Sequence, residues 1–237
     1  MIQSAAALRL EEAPIALPSR IFGPEPIDEE IERLGDRSMA VPEGFIISEP
    51  GEKTGCCYLV KKGRVLSVGY TDAGDERVWG VYEKGSVFLA SEALTGRTPG
   101  SYFRASVRSE LVEIPTKGLE AAMVADKHIA LFMVNSISME LCAAESHMRS
   151  LSVDSAIKRV CRCLLEMSDA YGKSEPGGIL VDLKVSQQAI ADYIGINRVT
   201  LVKVIKTIKE SGAIAVMNGC YFIKDREKLM EPESFEI

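Results

Sequence analysis

The chain has 237 residues, 46% hydrophobic and 26% charged, a globular balance with room for one large domain or two ordinary ones, which excludes an intrinsically disordered chain. Its net charge of −6 is unevenly spread: residues 155–230 hold 12 Lys+Arg against 8 Asp+Glu, a net +4 that leaves −10 elsewhere, as in an acidic body carrying a basic nucleic-acid-binding end. No apolar run reaches the roughly 18–20 residues of a membrane span; Arg9, Glu11 and Glu12 break up the apolar start, so a cytoplasmic protein without a signal peptide or membrane partner is expected.

In chain order, residues 1–38 read as an irregular lead-in, punctuated by Pro14, Pro18, Pro24 and Pro26, with a short helix over 28–34 that Asp28 can cap. Residues 39–124 change character. Glycines at 44, 51, 55, 63, 69, 74, 80 and 85 separate short β-branched and aromatic runs at 45–47, 58–60, 65–70 and 78–82. Further runs at 104–107 and 111–114 close the set, which predicts an antiparallel β-barrel or sandwich.

Between Gly118 and Gly172 there is no glycine, and Ile129, Met133, Ile137, Leu141, Ala144, Met148 and Leu151 recur every three or four residues. Apolar residues also flank this stripe, at Leu131, Phe132, Val134, Met139 and Cys142. A long helix over 125–152 with two apolar faces follows, one for the β domain and one for a second copy of the chain. Residues 153–237 begin with a helix over 155–170 that buries Ile157, Val160, Cys161, Leu164 and Leu165, then a loop at 175–178 and a strand over 179–183.

The most informative stretch is 185–219. Ser186 caps a two-turn helix over 187–194, Gly195 ends it, and Asn197 caps a second helix over 198–211. Two helices joined by a short glycine turn define a helix-turn-helix. On the second helix Leu201, Val204, Ile205 and Ile208 share one arc, while Arg198, Val199, Val202, Lys203 and Lys206 share the opposite one. Cations that can donate to guanine O6 and N7, interleaved with valines that can meet thymine methyls, suit a helix in the major groove of double-stranded DNA. Ser186, Gln187, Gln188 and Thr200, with Asn197 at the cap, complete the candidate interface through phosphate contacts. A hairpin at 213–223, turning at Asn218-Gly219, forms a wing.

Cysteines occupy 56, 57, 142, 161, 163 and 220 without a C-x-x-C spacing. Cys161 and Cys163 diverge by about 200° on a helix, and neighbouring Cys56 and Cys57 point to opposite faces of a strand. Buried, reduced thiols are expected and no metal. No Ser/His/Asp or Cys/His constellation, carboxylate pair or phosphate loop stands out, so the chain is not read as an enzyme.

Strands, long helix, helix-turn-helix and wing in this order resemble the Crp/Fnr family of transcription regulators over residues 38–230. Specific matches are Pro50-Gly51-Glu52, the 58–65 segment Tyr-Leu-Val-Lys-Lys-Gly-Arg-Val, Gly74-Asp75-Glu76, Lys84-Gly85 and the helix-turn-helix from Ser186 to Thr200. The resemblance implies an α+β chain: an N-terminal antiparallel β-roll (double-stranded β-helix), a long dimerisation helix and a C-terminal winged helix-turn-helix. It further implies a homodimer, a palindromic operator, a small-molecule effector and RNA polymerase as a protein partner. The pairing Val199-Thr200 resembles the halorespiration-regulator subgroup.

The departures are informative. Cyclic-nucleotide members carry Gly-Glu and Arg-Ser where this chain has Leu89-Ala90 and Pro99-Gly100. The N-terminal cysteine cluster of iron–sulfur members is missing, and only His128 and His147 could ligate haem. Cyclic nucleotide, iron–sulfur cluster and haem are therefore not expected. The expected effector is more apolar, in a pocket between β-roll and long helix lined by some of Phe88, Leu89, Tyr102, Phe132 and Met133. Arg97, Arg104 or Lys127 would meet one negative group there. The same residues could instead fill the core. A competing reading makes the chain a small-molecule-binding regulatory module whose helix-turn-helix contacts protein rather than DNA.

Overall fold

A computed structural model describes residues 20–21, 29–181, 186–217 and 219–235. Most of the lead-in, Asp28 included, lies outside the described residues; within it, β1 (Arg20–Ile21) and α1 (Glu29–Arg33) are formed. Eight strands follow: β2 (Arg37–Val41), β3 (Ile46–Ser48), β4 (Cys56–Lys62), β5 (Arg64–Tyr70), β6 (Glu76–Glu83), β7 (Val87–Phe88), β8 (Tyr102–Ala105) and β9 (Ser109–Pro115), with the short α2 (Ala90–Thr95) after β7. They form two facing sheets, ordered β1-β6-β5-β8-β3 and β2-β9-β4-β7, antiparallel except where β1 runs parallel to β6. The β-roll expected from the glycine-punctuated runs is present.

Between the sheets the rings of Tyr58, Phe88, Phe103 and Tyr82 pack in succession, with centroids 5.3, 5.4 and 5.8 Å apart. Leu89, at the start of α2, is held in the left-handed region at φ 60°, and among the described residues no other non-glycine has positive φ. A leucine there costs about 1–2 kcal/mol, offset by complete burial of its side chain in the same cluster.

After α3 (Thr116–Ala125), the long α4 runs Lys127–Val153, capped by the Asp126 carboxylate on the His128 amide. The apolar stripe runs through two environments. Ile129 and Met133 are buried against β-roll and α3 residues, joined by Phe132; Ile137 is half-buried; Leu141, Ala144, Met148 and Leu151 are exposed. The β-roll covers one flank of the helix as far as Ala143 and leaves that stripe bare beyond Ile137. By length and composition α4 could cross a bilayer, contrary to the expectation that no segment could. One flank docks on the β-roll, where Glu140 accepts a hydrogen bond from Tyr82.

The C-terminal unit comprises α5 (Ala156–Tyr171), β10 (Gly172–Glu175), β11 (Gly178–Val181), α6 (Gln187–Ile194), α7 (Arg198–Glu210), β12 (Ile214–Met217), β13 (Cys220–Ile223) and the closing α8 (Arg226–Met230). The stretch around 175–178, expected as a plain loop, turns a hairpin, because β10 pairs along its whole length with β11. Residues 182–183 of the expected strand and Asn218 of the wing turn lie outside the described residues. The strands order as β10-β11-β13-β12 and share a core with Val160, Leu164, Leu201 and Ile208 of α5 and α7.

Candidate nucleic-acid interface

The turn between α6 and α7 is built by local chemistry. The Ser186 hydroxyl accepts from the Ala189 amide at 3.0 Å, and the Asn197 side chain accepts from the Thr200 amide at 2.8 Å, so each helix begins on a satisfied cap. Gly195 takes φ 68°, and a Cβ there would lie 2.6 Å from the Leu151 side chain on α4. Only glycine meets both constraints. Arg159 of α5 closes the turn, its Nη1 donating to the carbonyls of Ile194 and Gly195 at 3.0 and 3.2 Å. Sequence reasoning missed this arginine; nothing local distinguishes it from an ordinary helix cation.

With the turn fixed, α7 buries Leu201, Val204, Ile205 and Ile208 and turns Arg198, Val199, Val202, Lys203 and Lys206 outward. Val199 is 66% and Val202 42% exposed, so the valines lie open beside the cations. Among the described residues no carboxylate engages Arg198 or Lys203, while Lys206 stands 3.7 Å from Glu210. An exposed helix face with cations, small apolar groups and no internal neutralisation of its central charges can enter a groove and read base edges. Thr200 borders it, half-buried.

The phosphate-contact candidates are arranged less simply. Gln187 is half-buried at the start of α6. Ser186 and Gln188 line a cleft of about 610 Å³ between α5–α6 and strands β5–β6, whose walls include Leu66, Val78, Val81 and Met167. Gln188 donates to Asp192 at 2.8 Å.

The eight residues expected around an effector are not brought together. Phe88 and Leu89 belong to the aromatic cluster, Phe132 and Met133 to a separate one under α4, and Tyr102 packs near Val68, Val78 and Val81. Arg104 holds both oxygens of Glu76 at 2.7 and 2.8 Å, and Arg97 and Lys127 are exposed. Phe88, Leu89, Phe132 and Met133 fill the core, the other reading that the sequence left open.

The Glu140 carboxyl is held above the usual carboxylate range, chiefly by burial and further by the negative charge of Glu92, against the pull of the Tyr82 hydrogen bond. Burial likewise pushes the Cys57 and Cys161 thiols up to about 12, which keeps both protonated.

Two family models match the chain: a cyclic nucleotide-binding domain over residues 39–126 and a Crp-like helix-turn-helix domain over 158–231. The global nitrogen regulator of Synechocystis sp. is 27% identical over 208 residues, covering 87% of this chain and 89% of that protein. In fold, the chain is similar to a CooA mutant from Carboxydothermus hydrogenoformans, with TM-score 0.74 and 21% identity, covering 86% of this chain and 90% of that one. It is also similar to FixK2 from Bradyrhizobium japonicum, with TM-score 0.69 and 22% identity, covering 85% and 98%.

Proposed function

We propose that the chain is a DNA-binding transcription regulator of the Crp/Fnr type that acts in the cytoplasm as a homodimer, reading a palindromic operator with α7. The observation that carries this reading is the outward face of α7, where among the described residues no carboxylate engages Arg198 or Lys203 and two valines lie exposed beside them. A face built for protein docking would be more continuously apolar.

Dimerisation is argued from α4. Val134, Ile137, Leu141, Ala144, Met148 and Leu151 follow one another at spacings of three and four, the seam of a two-stranded coiled coil. Leu141 is 59% and Met148 62% exposed in the single chain, an apolar strip that a second copy would cover. Two parallel α4 helices would present two α7 helices with twofold symmetry, matching half-sites about one helical turn apart.

The proposal excludes a cyclic nucleotide, iron–sulfur cluster and haem. Stacked rings fill the β-roll, and Leu89-Ala90 supplies no carboxylate for a ribose. A small effector of apolar or aromatic character is instead assigned to the mainly apolar cleft between the β-roll and α5–α6. The reading also includes contact with RNA polymerase.

Sedimentation of the full chain with duplexes selected from a randomised pool tests it. Two chains per duplex carrying an inverted repeat are expected. One chain per duplex, or no selected sequence, would refute it.

A further inference from the structure

The helix-turn-helix is tied to the β-roll by charge. Asp192, on α6, is 9% exposed, and its Oδ1 stands 3.6 Å from Nη1 of Arg77, on β6. The same oxygen accepts from Gln188 at 2.8 Å. A carboxylate this buried is costly to keep ionised without a cation and hydrogen bonds facing it. Arg77 is itself held in place: its Nη1 donates to the Glu76 carbonyl at 2.8 Å, and Asp75 stands 3.8 Å from its Nη2. Beside the pair, Tyr193 packs against Val68, Val78 and Val81. A second polar contact joins the same two units, Tyr171 at the end of α5 donating to Glu83 at 2.8 Å and receiving from Arg64 at 2.6 Å.

We propose that Asp192 is a positioning residue for DNA reading, fixing through Arg77 the orientation of α7 relative to the β-roll. The mechanical path is continuous. Arg77 holds α6, the Gly195 turn clamped by Arg159 and packed by Leu151 makes α6 and α7 one body, and α7 carries Arg198 and Lys203. The same carboxylate orients Gln188, a candidate phosphate contact. Asp192 acts through these groups and needs no contact with DNA of its own.

The inference rests on the reading of α7 as a DNA-reading helix, and a charge exchange separates the two. The full-length chain is prepared as Arg77→Asp, Asp192→Arg and the double variant. Each is measured by small-angle scattering and by affinity for a duplex that the unmodified protein selects from a randomised pool. Each single variant should lose at least tenfold in affinity and scatter as a more extended particle, because like charges then face each other. The double variant should return to within about threefold of the unmodified affinity and to its scattering profile, since the pair is restored with reversed sense. Thermal melting of the singles close to the unmodified protein would show that the loss is one of orientation. Singles that keep full affinity, or a double variant no better than the singles, would overturn the proposal. If the unmodified protein selects no duplex, the DNA reading fails, while scattering still decides whether the pair sets the arrangement of the two units.

Discussion

The phenol of Tyr82, buried in the β-roll, donates to the Glu140 carboxylate on α4, so the aromatic core and the proposed dimerisation helix share a hydrogen bond across their boundary. Burial, first, and the negative charge of Glu92 hold the Glu140 carboxyl above its usual range, outweighing the Tyr82 bond. A carboxyl raised in the folded state contributes stability that is complete below the unfolded value, about 4.3, and lost as pH rises through the folded value. Melting temperatures of the unmodified protein and Glu140→Gln, compared from pH 4 to 8, should therefore diverge in favour of the glutamine variant as pH rises. A difference independent of pH would show that the carboxyl titrates normally.

The seam on α4 predicts that Leu141→Asp or Met148→Asp produces a folded monomer. Burying a leucine or methionine contributes about 1.5–3 kcal/mol, and twofold symmetry removes it twice per dimer. Sedimentation equilibrium reads the change; a dimer that survives both substitutions places the interface elsewhere.

Gly195→Ala should disturb the turn on two counts. Alanine is strained at φ 68°, and its methyl would meet Leu151 at 2.6 Å. A loss of about 1–3 kcal/mol in stability is expected, measured by denaturant unfolding. An unchanged midpoint would mean that Leu151 yields freely.

How much of this was legible in the sequence depends on the range of the forces involved. Ser186, Gly195 and Asn197 signal the helix-turn-helix because caps and turns are local chemistry, and the structure places all three as expected. The periodicity of α4 announced a long two-sided helix, but not where the β-roll would stop covering it, which depends on distant strands. Strand β10 was missed because Gly172, Lys173, Ser174 and Glu175 are all exposed and it exists by pairing with β11. The effector set was undecided for a related reason: whether Phe88 and Phe132 line a pocket or fill a core depends on Tyr58, Phe103 and Ile114 around them. Arg77 and Asp192 carry no local mark, since each is an ordinary surface charge until the two units meet.

Cyclic AMP and cyclic GMP should give no heat of binding at micromolar concentration. Leu89→Gly would not create a site. It relieves about 1–2 kcal/mol of backbone strain but removes a buried leucine, a loss of about 2–5 kcal/mol, so net destabilisation is expected. Calorimetry with either nucleotide is the check, and micromolar binding to the unmodified protein would refute the exclusion.

The central claim, that α7 reads bases, is tested most directly by the affinity and base preference of Arg198→Ala and Lys203→Ala on the selected operator. Each should lose about 1–3 kcal/mol and relax preference at its own base pair in both half-sites. Affinity and preference unchanged in both variants would contradict it.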